Sequence, residues 1–374
     1  MLLFILFFLL LYGGLNFYVY STIADGLGVH SWPIAVAFVL LVVSPIVLRM
    51  AEARAPRWVA NTIAWVGYNW MGVSFLFASV ALVVDGVQAF VPHFSQTTAL
   101  LVVAIITVLL SIYGFLESRC VRIKYLKVSS PKLSFSKDHP FRMVQISDVH
   151  LGYGTLPGQL KGVVEKIRSL KPDLLVSSGD LFDTDLEHLG RYVDRLKSLE
   201  PPAGKLAVSG NHEVYAGLDE AIDLTQESGF QILKSEAHQV SENFFVAGVD
   251  DPEALGKTST QSAEAEAFSK VPEGAFVVLL KHRPHISETN LNKFDLQLSG
   301  HTHGGQIFPF IFMTRLQYKA RHGLTKLAES AYLYLSRGTG SWGPQMRVFA
   351  PPEITVFDLS HGDEMNVEYA GRTR

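Results

Sequence analysis

"FRMVQISDVHLGYGTLPGQLKGVVEKIRSLKPDLLVSSGD" occupies residues 141–180 and decides the fold. It opens with a short, largely apolar run that ends on Asp148. Leu160, Val163, Val164, Ile167 and Leu170 then recur at helical spacing, which predicts an amphipathic helix. "DLLVSSGD" (173–180) returns to the strand pattern and ends on Asp180. Strand, helix and strand in succession predict a parallel βαβ unit, and with it an α/β layered domain.

Downstream the pattern continues. Leu186, Leu189, Val193 and Leu196 mark a second helix, and "KLAVSGN" (205–211) a third strand, ending on Asn211. Further strands are expected at 244–250, 276–282, 294–301, 331–338 and 353–359. The later ones have less helix between them and read as antiparallel additions. The apolar "IFPFIFM" (307–313) reads as another strand, with a groove open to a bilayer as the second reading. The expected architecture is an α-β-β-α sandwich.

Upstream the texture differs. No Lys or Arg precedes Arg49, and none lies between Arg57 and Arg119. Four apolar stretches, 1–20, 32–48, 60–84 and 97–116, approach the roughly 20 residues that cross a bilayer core. A cleaved signal peptide does not suit 1–20, which lacks a basic start and is followed by more apolar segments. The expected division is a transmembrane region at 1–118, a basic linker at 119–140 and a catalytic domain at 141–374. Arg49, Arg54 and Arg57 lie between the second and third stretches. Arg119, Arg122, Lys124, Lys127 and Lys132 follow the fourth. With four spans, the positive-inside rule places both termini and the large domain on the cytoplasmic side of the inner membrane. The bilayer is therefore an expected partner.

Composition narrows the rest. A net charge of −3 carries no basic nucleic-acid footprint, so no nucleic-acid partner is expected. The single cysteine, Cys120, excludes an internal disulfide framework.

Asp148, Asp180, Asn211, His282 and His301 each sit at the carboxyl end of an expected strand, where α/β sheets gather their ligands. Any one of them could be an ordinary turn former. His150 follows Asp148 by two and His303 follows His301 by two, so each pair can aim into one crevice. Carboxylate, imidazole and amide together suit a first-row transition metal, and more than one ion.

The ordered series "SDVHLG", "SGDLFD", "SGNHE", "LKH" and "SGHTHGGQ" resembles the calcineurin-like metallophosphoesterases, over roughly residues 141 to 358. "GHTHGGQ" and the late "SRGTGSWGPQMRVFAPPEI" look most like a bacterial membrane-associated branch, some members of which act on phosphate or pyrophosphate linkages in lipid-like substrates. The resemblance implies one metal on Asp148, His150, Asp180 and His303. It implies a second on Asp180, Asn211, His282 and His301, with Asp180 bridging. Manganese is the first choice, with iron, zinc or nickel acceptable to the same mixed donors. It implies further that His212 stabilises the transition state and protonates the leaving oxygen.

The expected reaction is hydrolysis of a phosphate ester or pyrophosphate, in a lipid-linked substrate, by a metal-activated hydroxide. Asp183 and Glu213 read either as partners of metal-bound histidines or as helix caps. Arg337 and Arg347 read as phosphate clamps or as surface arginines. His285 is expected to be an exposed loop residue. Two other functions compete: a phosphoesterase acting on nucleotides or phosphoproteins, and a membrane sensor or transporter whose metal domain does not turn over. The complete ligand set and the uncharged span centres argue against the second of these.

Overall fold

The computed structural model describes residues 2–51, 55–90, 95–155 and 158–373. The chain forms two compact units. The first comprises Met1–Ser118 together with Ile307–Pro309 and Gly343–Phe349, and the second holds the remainder.

The helical unit contains α1 (Leu2–Leu27), α2 (Trp32–Ala51), α3 (Arg57–Gln88) and α4 (Gln96–Glu117). Among the described residues, three helical stretches are long and apolar enough to cross a membrane: Leu6–Leu27, Arg57–Gln88 and Gln96–Glu117. The expected second span falls short. Its apolar part is Trp32–Leu48, and Pro45 removes a backbone donor inside it. The count of four is therefore corrected to three candidates. Arg54 lies outside the described residues.

Val19, Phe77, Ala78, Ala81, Ala99, Leu100 and Val103 form one core of this unit. Leu76, Ile307, Met346 and Val348 form another. The two late segments are seated on helix surfaces that glycines leave open. A side chain at Gly72 would meet Met346, Pro344 and Ile307, and one at Gly114 would meet Val348 and Met346. Polar bonds fix the seat. The Arg347 N–H donates to Gly114 O (2.9 Å), the Gln345 N–H to Asn69 Oδ1 (3.0 Å) and Ser118 Oγ to Gln345 O (2.9 Å).

The second unit is the two-sheet sandwich. Its first sheet uses β1 (Arg122–Ser130), β2 (Phe141–Ile146), β3 (Leu174–Ser177), β4 (Lys205–Ala207), β5 (Gln231–Ile232), β12 (Glu353–His361) and β13 (Asn366–Thr373). Their order is β13-β1-β12-β2-β3-β4-β5, with β2 to β5 parallel. The second sheet uses β6 (Glu236–Ser241), β7 (Phe244–Val249), β8 (Phe276–Lys281), β9 (Leu296–Ser299), β10 (Gly323–Lys326) and β11 (Tyr332–Leu335), in the order β10-β11-β9-β8-β7-β6.

Three expectations are revised here. The stretch 119–140 is no linker throughout: β1 lies within it, inserted between β12 and β13 with Leu126 and Val128 fully buried. The later strands are antiparallel additions only in part: β7, β8, β9 and β11 run parallel to one another, whereas β6 and β10 pair antiparallel at the two edges of their sheet and β12 pairs antiparallel with β2. Residues 282–295 connect β8 to β9 with only a short 3-10 turn, yet they are long enough for a parallel crossover. "IFPFIFM" is no sheet strand either. Ile307 makes one isolated bridge to Val348, and Pro309 cannot donate to a ladder.

Met143, Val176, Leu206, Val246, Val278, Leu298 and Phe357 fill the space between the sheets. The outer face of the first sheet is covered by α5 (Gln159–Leu170), α6 (Gly190–Lys197) and α7 (Asn211–Glu227). The predicted stripe of α5, Leu160 to Leu170, is the face it buries. Each such Leu or Val buried contributes about 1.5–3 kcal/mol. Beyond the second sheet lie α8 (Pro252–Leu255) and α9 (Thr260–Phe268), the latter packed through Ala263, Ala267 and Phe268.

Candidate metal centre

The strands end together, and their tips carry the polar residues. Asp148 and His150 follow β2, Asp180 follows β3, Asn211 opens α7 after β4, His282 follows β8, and His301 and His303 follow β9. Asp148, His150, Asp180, His301 and His303 all adopt positive φ, between 50° and 72°. For side chains other than glycine each such turn costs about 1 kcal/mol, so the strain is concentrated at one place.

The turns hold one another. The Asp148 N–H donates to Gly179 O and the His150 N–H to Asp180 O, each at 3.0 Å. The His301 N–H donates to Asp148 Oδ1 (2.8 Å) and the His212 N–H to Asp180 Oδ1 (2.9 Å). Ser147 Oγ donates to Asp148 Oδ2.

Among the described residues three groups of donors result, one of them His150, Asp183 and His212. Asp148, His150 and His303 bring one ligand atom each within 4.8 Å of the others, and so do Asp180, His282 and His301. His150 Nε2 faces His303 Nε2 at 3.0 Å, with Asp148 Oδ1 3.4 Å from the latter. His282 Nε2 faces His301 Nδ1 at 3.2 Å and Asp180 Oδ2 at 3.1 Å. Asp180 Oδ2 also lies 3.7 Å from His150 Nε2, so its carboxylate stands between the groups.

These residues fit divalent ions. Nitrogens that each sit about 2.0–2.1 Å from one ion come within about 3.5 Å of each other. His282 donates Nδ1–H to Ser178 O (2.9 Å), which fixes its tautomer and turns Nε2 toward the pocket. Asn211 Oδ1 is buried without a hydrogen-bond partner. Such an acceptor costs about 1–3 kcal/mol unless something satisfies it, and a cation would do so.

Electrostatics point the same way. Burial, together with His212, pushes His150 down to about 4, and burial with His282 pushes His301 down to about 3. Both imidazoles therefore keep their lone pairs at neutral pH. Burial works against both charges of the Asp180–His282 pair, but their mutual attraction outweighs it. Asp180 is held well below the usual carboxylate range and His282 up at about 10. A field that retains a proton so firmly favours a divalent cation in its place.

His212 stands beside this cluster. Its Nδ1 lies 2.7 Å from Asp183 Oδ1, and its ring meets His150 (4.7 Å) and Trp342 (5.4 Å) edge-on. Burial would lower its pKa, but the carboxylates of Asp180 and Asp183 hold it up at about 9.

The remaining expected residues divide. Asp183 partners His212, and its Oδ2 is also 3.9 Å from His150 Nδ1. Glu213 bonds no metal-facing imidazole. Its carboxylate accepts the N–H groups of Asp180 (3.0 Å), Leu181 (2.6 Å), Phe182 (3.0 Å) and Gly210 (2.7 Å), stapling the Asp180 turn to the start of α7. Arg337 lies over Gly304 of the metal turn. Arg347 is no surface arginine: it belongs to the helical unit and is fully buried. His285 is exposed, with its ring against Tyr318.

Three participants had no expectation attached. The Tyr318 ring lies 5.5 Å from His301. Trp342 is held by Gln306 through two bonds, Gln306 Nε2 to Trp342 O (2.8 Å) and Trp342 N–H to Gln306 Oε1 (3.0 Å). Trp342 is also 49% exposed, a wall beside His212 that the flanking "GSWG" glycines could have flagged.

A two-sheet α/β sandwich with paired carboxylate–imidazole groups at its strand tips defines a metal-dependent phosphoester hydrolase. The chain belongs to the calcineurin-like phosphoesterases: the family model of that description matches residues 141–305. A metallophosphoesterase of Aquifex aeolicus is 36% identical over 258 residues, 68% of this chain and 97% of that one. One from Campylobacter jejuni is 35% identical, over 70% of this chain and 68% of its own. A transmembrane protein with a metallophosphoesterase domain from Danio rerio is 30% identical, over 70% of this chain and 62% of its own.

Proposed function

We propose that the protein is an integral-membrane phosphohydrolase that cleaves a phosphate ester or pyrophosphate bond in a lipid-linked substrate, using two divalent ions, with manganese the first choice. The observation that carries this reading is the placement of Asp180 between two donor groups, in a chain that also holds three long apolar helices. Asp148, His150, Asp180 and His303 would hold one ion, and Asp180, Asn211, His282 and His301 the other. When bound, such a pair lowers the pKa of a water and neutralises charge on the phosphoryl oxygens.

The chain's own residues do the rest. Asp183 accepts from Nδ1 of His212, which leaves the Nε2 proton for the departing oxygen. Glu213 keeps the Asp180 turn in register through its four amides. Trp342 and Tyr318 narrow the approach and limit water. Arg119, Arg122, Lys124, Lys127 and Lys132, directly after α4, support a cytoplasmic position for the catalytic unit in the inner membrane.

The test uses full-length protein in nanodiscs, loaded in turn with manganese, iron, zinc or nickel. It is offered bis-p-nitrophenyl phosphate, p-nitrophenyl phosphate and a panel of lipid pyrophosphates. Turnover of at least one, lost on chelation, is expected. No release from any of them, with two ions bound, would overturn the reading in favour of a sensor.

A further inference from the structure

The segment after the metal turn is apolar, basic and exposed together. It leads through Phe310, 48% exposed, into α10 (Ile311–Gln317), where Phe312 is 54% exposed, Met313 57% and Leu316 82%. Arg315, Lys319 and Arg321 are exposed among and beside them. From His301 to Ala328 the chain contains no Asp or Glu at all. Large apolar side chains interleaved with cations, and no anions, are what an anionic lipid interface selects.

This helix is fixed to the metal turn at both ends. A side chain at Gly305 would collide with the Ile311 backbone, so the helix start abuts that turn. At its far end Tyr318 places its ring 5.5 Å from His301, at 84°. Ile307, which precedes Ile311 by four residues, packs with Leu76 of the apolar α3.

We infer that α10 is an interfacial helix whose Phe312, Met313 and Leu316 enter an anionic leaflet and bring the metal turn to lipid-borne phosphates. The membrane contact stands on its own. The delivery of substrate rests on the hydrolase reading above.

The test uses full-length protein carrying Cys120→Ser, which removes the one native cysteine. Leu316→Cys receives a nitroxide label in nanodiscs of phosphatidylcholine with or without phosphatidylglycerol. In the anionic discs collisions with oxygen should exceed those with a water-soluble nickel chelate. The reverse should hold at Glu165→Cys on the exposed face of α5. A label at 316 that behaves like the one at 165 overturns the inference, whatever the enzyme hydrolyses.

Substrate delivery is read separately, with ethyl and hexadecyl p-nitrophenyl phosphate, which differ only in their alkyl anchor. Phe312→Ser, Met313→Ser and Leu316→Ser combined should lower turnover of the hexadecyl ester about tenfold and leave the ethyl ester within about twofold. Equal loss on both, or on neither, overturns the delivery claim. Failure of the wild type on both esters overturns the delivery claim, and only failure on the monoester and the lipid pyrophosphates as well counts against the hydrolase reading; the spin label still decides the membrane contact.

Discussion

His212 Nδ1 lies 2.7 Å from Asp183 Oδ1, a bond that sets the orientation of the imidazole, while Asp180 and Asp183 together favour its charged form. With Nδ1 engaged, only Nε2 can serve a leaving group. His212→Gln should lower kcat about 10²- to 10⁴-fold while the metal content stays at the wild-type value. Asp183→Asn should cost less, about 10- to 100-fold, because the ring survives but is misaligned. Steady-state kinetics with parallel metal analysis check both. Near-wild-type turnover in His212→Gln would remove His212 from the chemistry.

In metal-free protein the same pair makes a pH prediction. The neighbouring carboxylates raise the His212 pKa from its ordinary value of about 6.5 to about 9. A raised imidazole contributes stability that is complete below about 6.5 and lost as pH rises through about 9, on the order of 3 kcal/mol in all. The difference in unfolding free energy between wild type and His212→Gln should therefore shrink over that window. Chemical denaturation at a series of pH values, with chelator present, measures it. A difference that stays flat from pH 6 to 10 would contradict the assignment.

Metal stoichiometry separates the two donor groups. Asp180 Oδ2 approaches both His282 Nε2 (3.1 Å) and His150 Nε2 (3.7 Å), whereas Asn211 opens α7 with its buried Oδ1 lacking a hydrogen-bond partner. Full-length wild type should carry about two ions per chain, Asn211→Ala about one and Asp180→Ala close to none. Chelation should also lower the thermal midpoint of the catalytic unit, since a ligand at 100 times its Kd stabilises by about 2.7 kcal/mol. Elemental analysis and calorimetry give the two readouts. Retention of both ions by Asp180→Ala would break the bridging role.

The residues of the strand-tip cluster were legible because each announces itself locally: a strand, then Asp, Asn or His, with glycine beside it. Asp148, Asp180, Asn211, His282, His301 and their companions converge as the strand order requires. What escaped depended on distant partners. β1 alternates Lys and Arg with buried Leu126 and Val128, so its charges read as a linker until β12 and β13 enclose it. The direction of β9 rests on a crossover with no long helix to betray it. Arg347 looks like any glycine-rich-loop arginine, and only the open surface at Gly114 explains why its segment is buried with the helices. Trp342 meets His212 across 130 positions of chain, a contact no local pattern encodes.

Glu213 supplies the last test, because it acts on the candidate metal centre only through the backbone of the Asp180 turn. Its carboxylate accepts four backbone N–H groups, from Asp180, Leu181, Phe182 and Gly210. Glu213→Ala strands these buried donors, and each one left unsatisfied costs about 1–3 kcal/mol. The variant should lose about 3 kcal/mol or more and bind metal weakly. Glu213→Gln retains an acceptor oxygen for part of the set and should recover much of the stability. It will still loosen the Asp180 turn, since an amide nitrogen cannot accept. Its deficit should therefore appear as a higher metal concentration needed for half-maximal activity, with kcat at saturating metal close to wild type. A fall in kcat that excess metal does not restore would instead mean that Glu213 contributes to the chemical step.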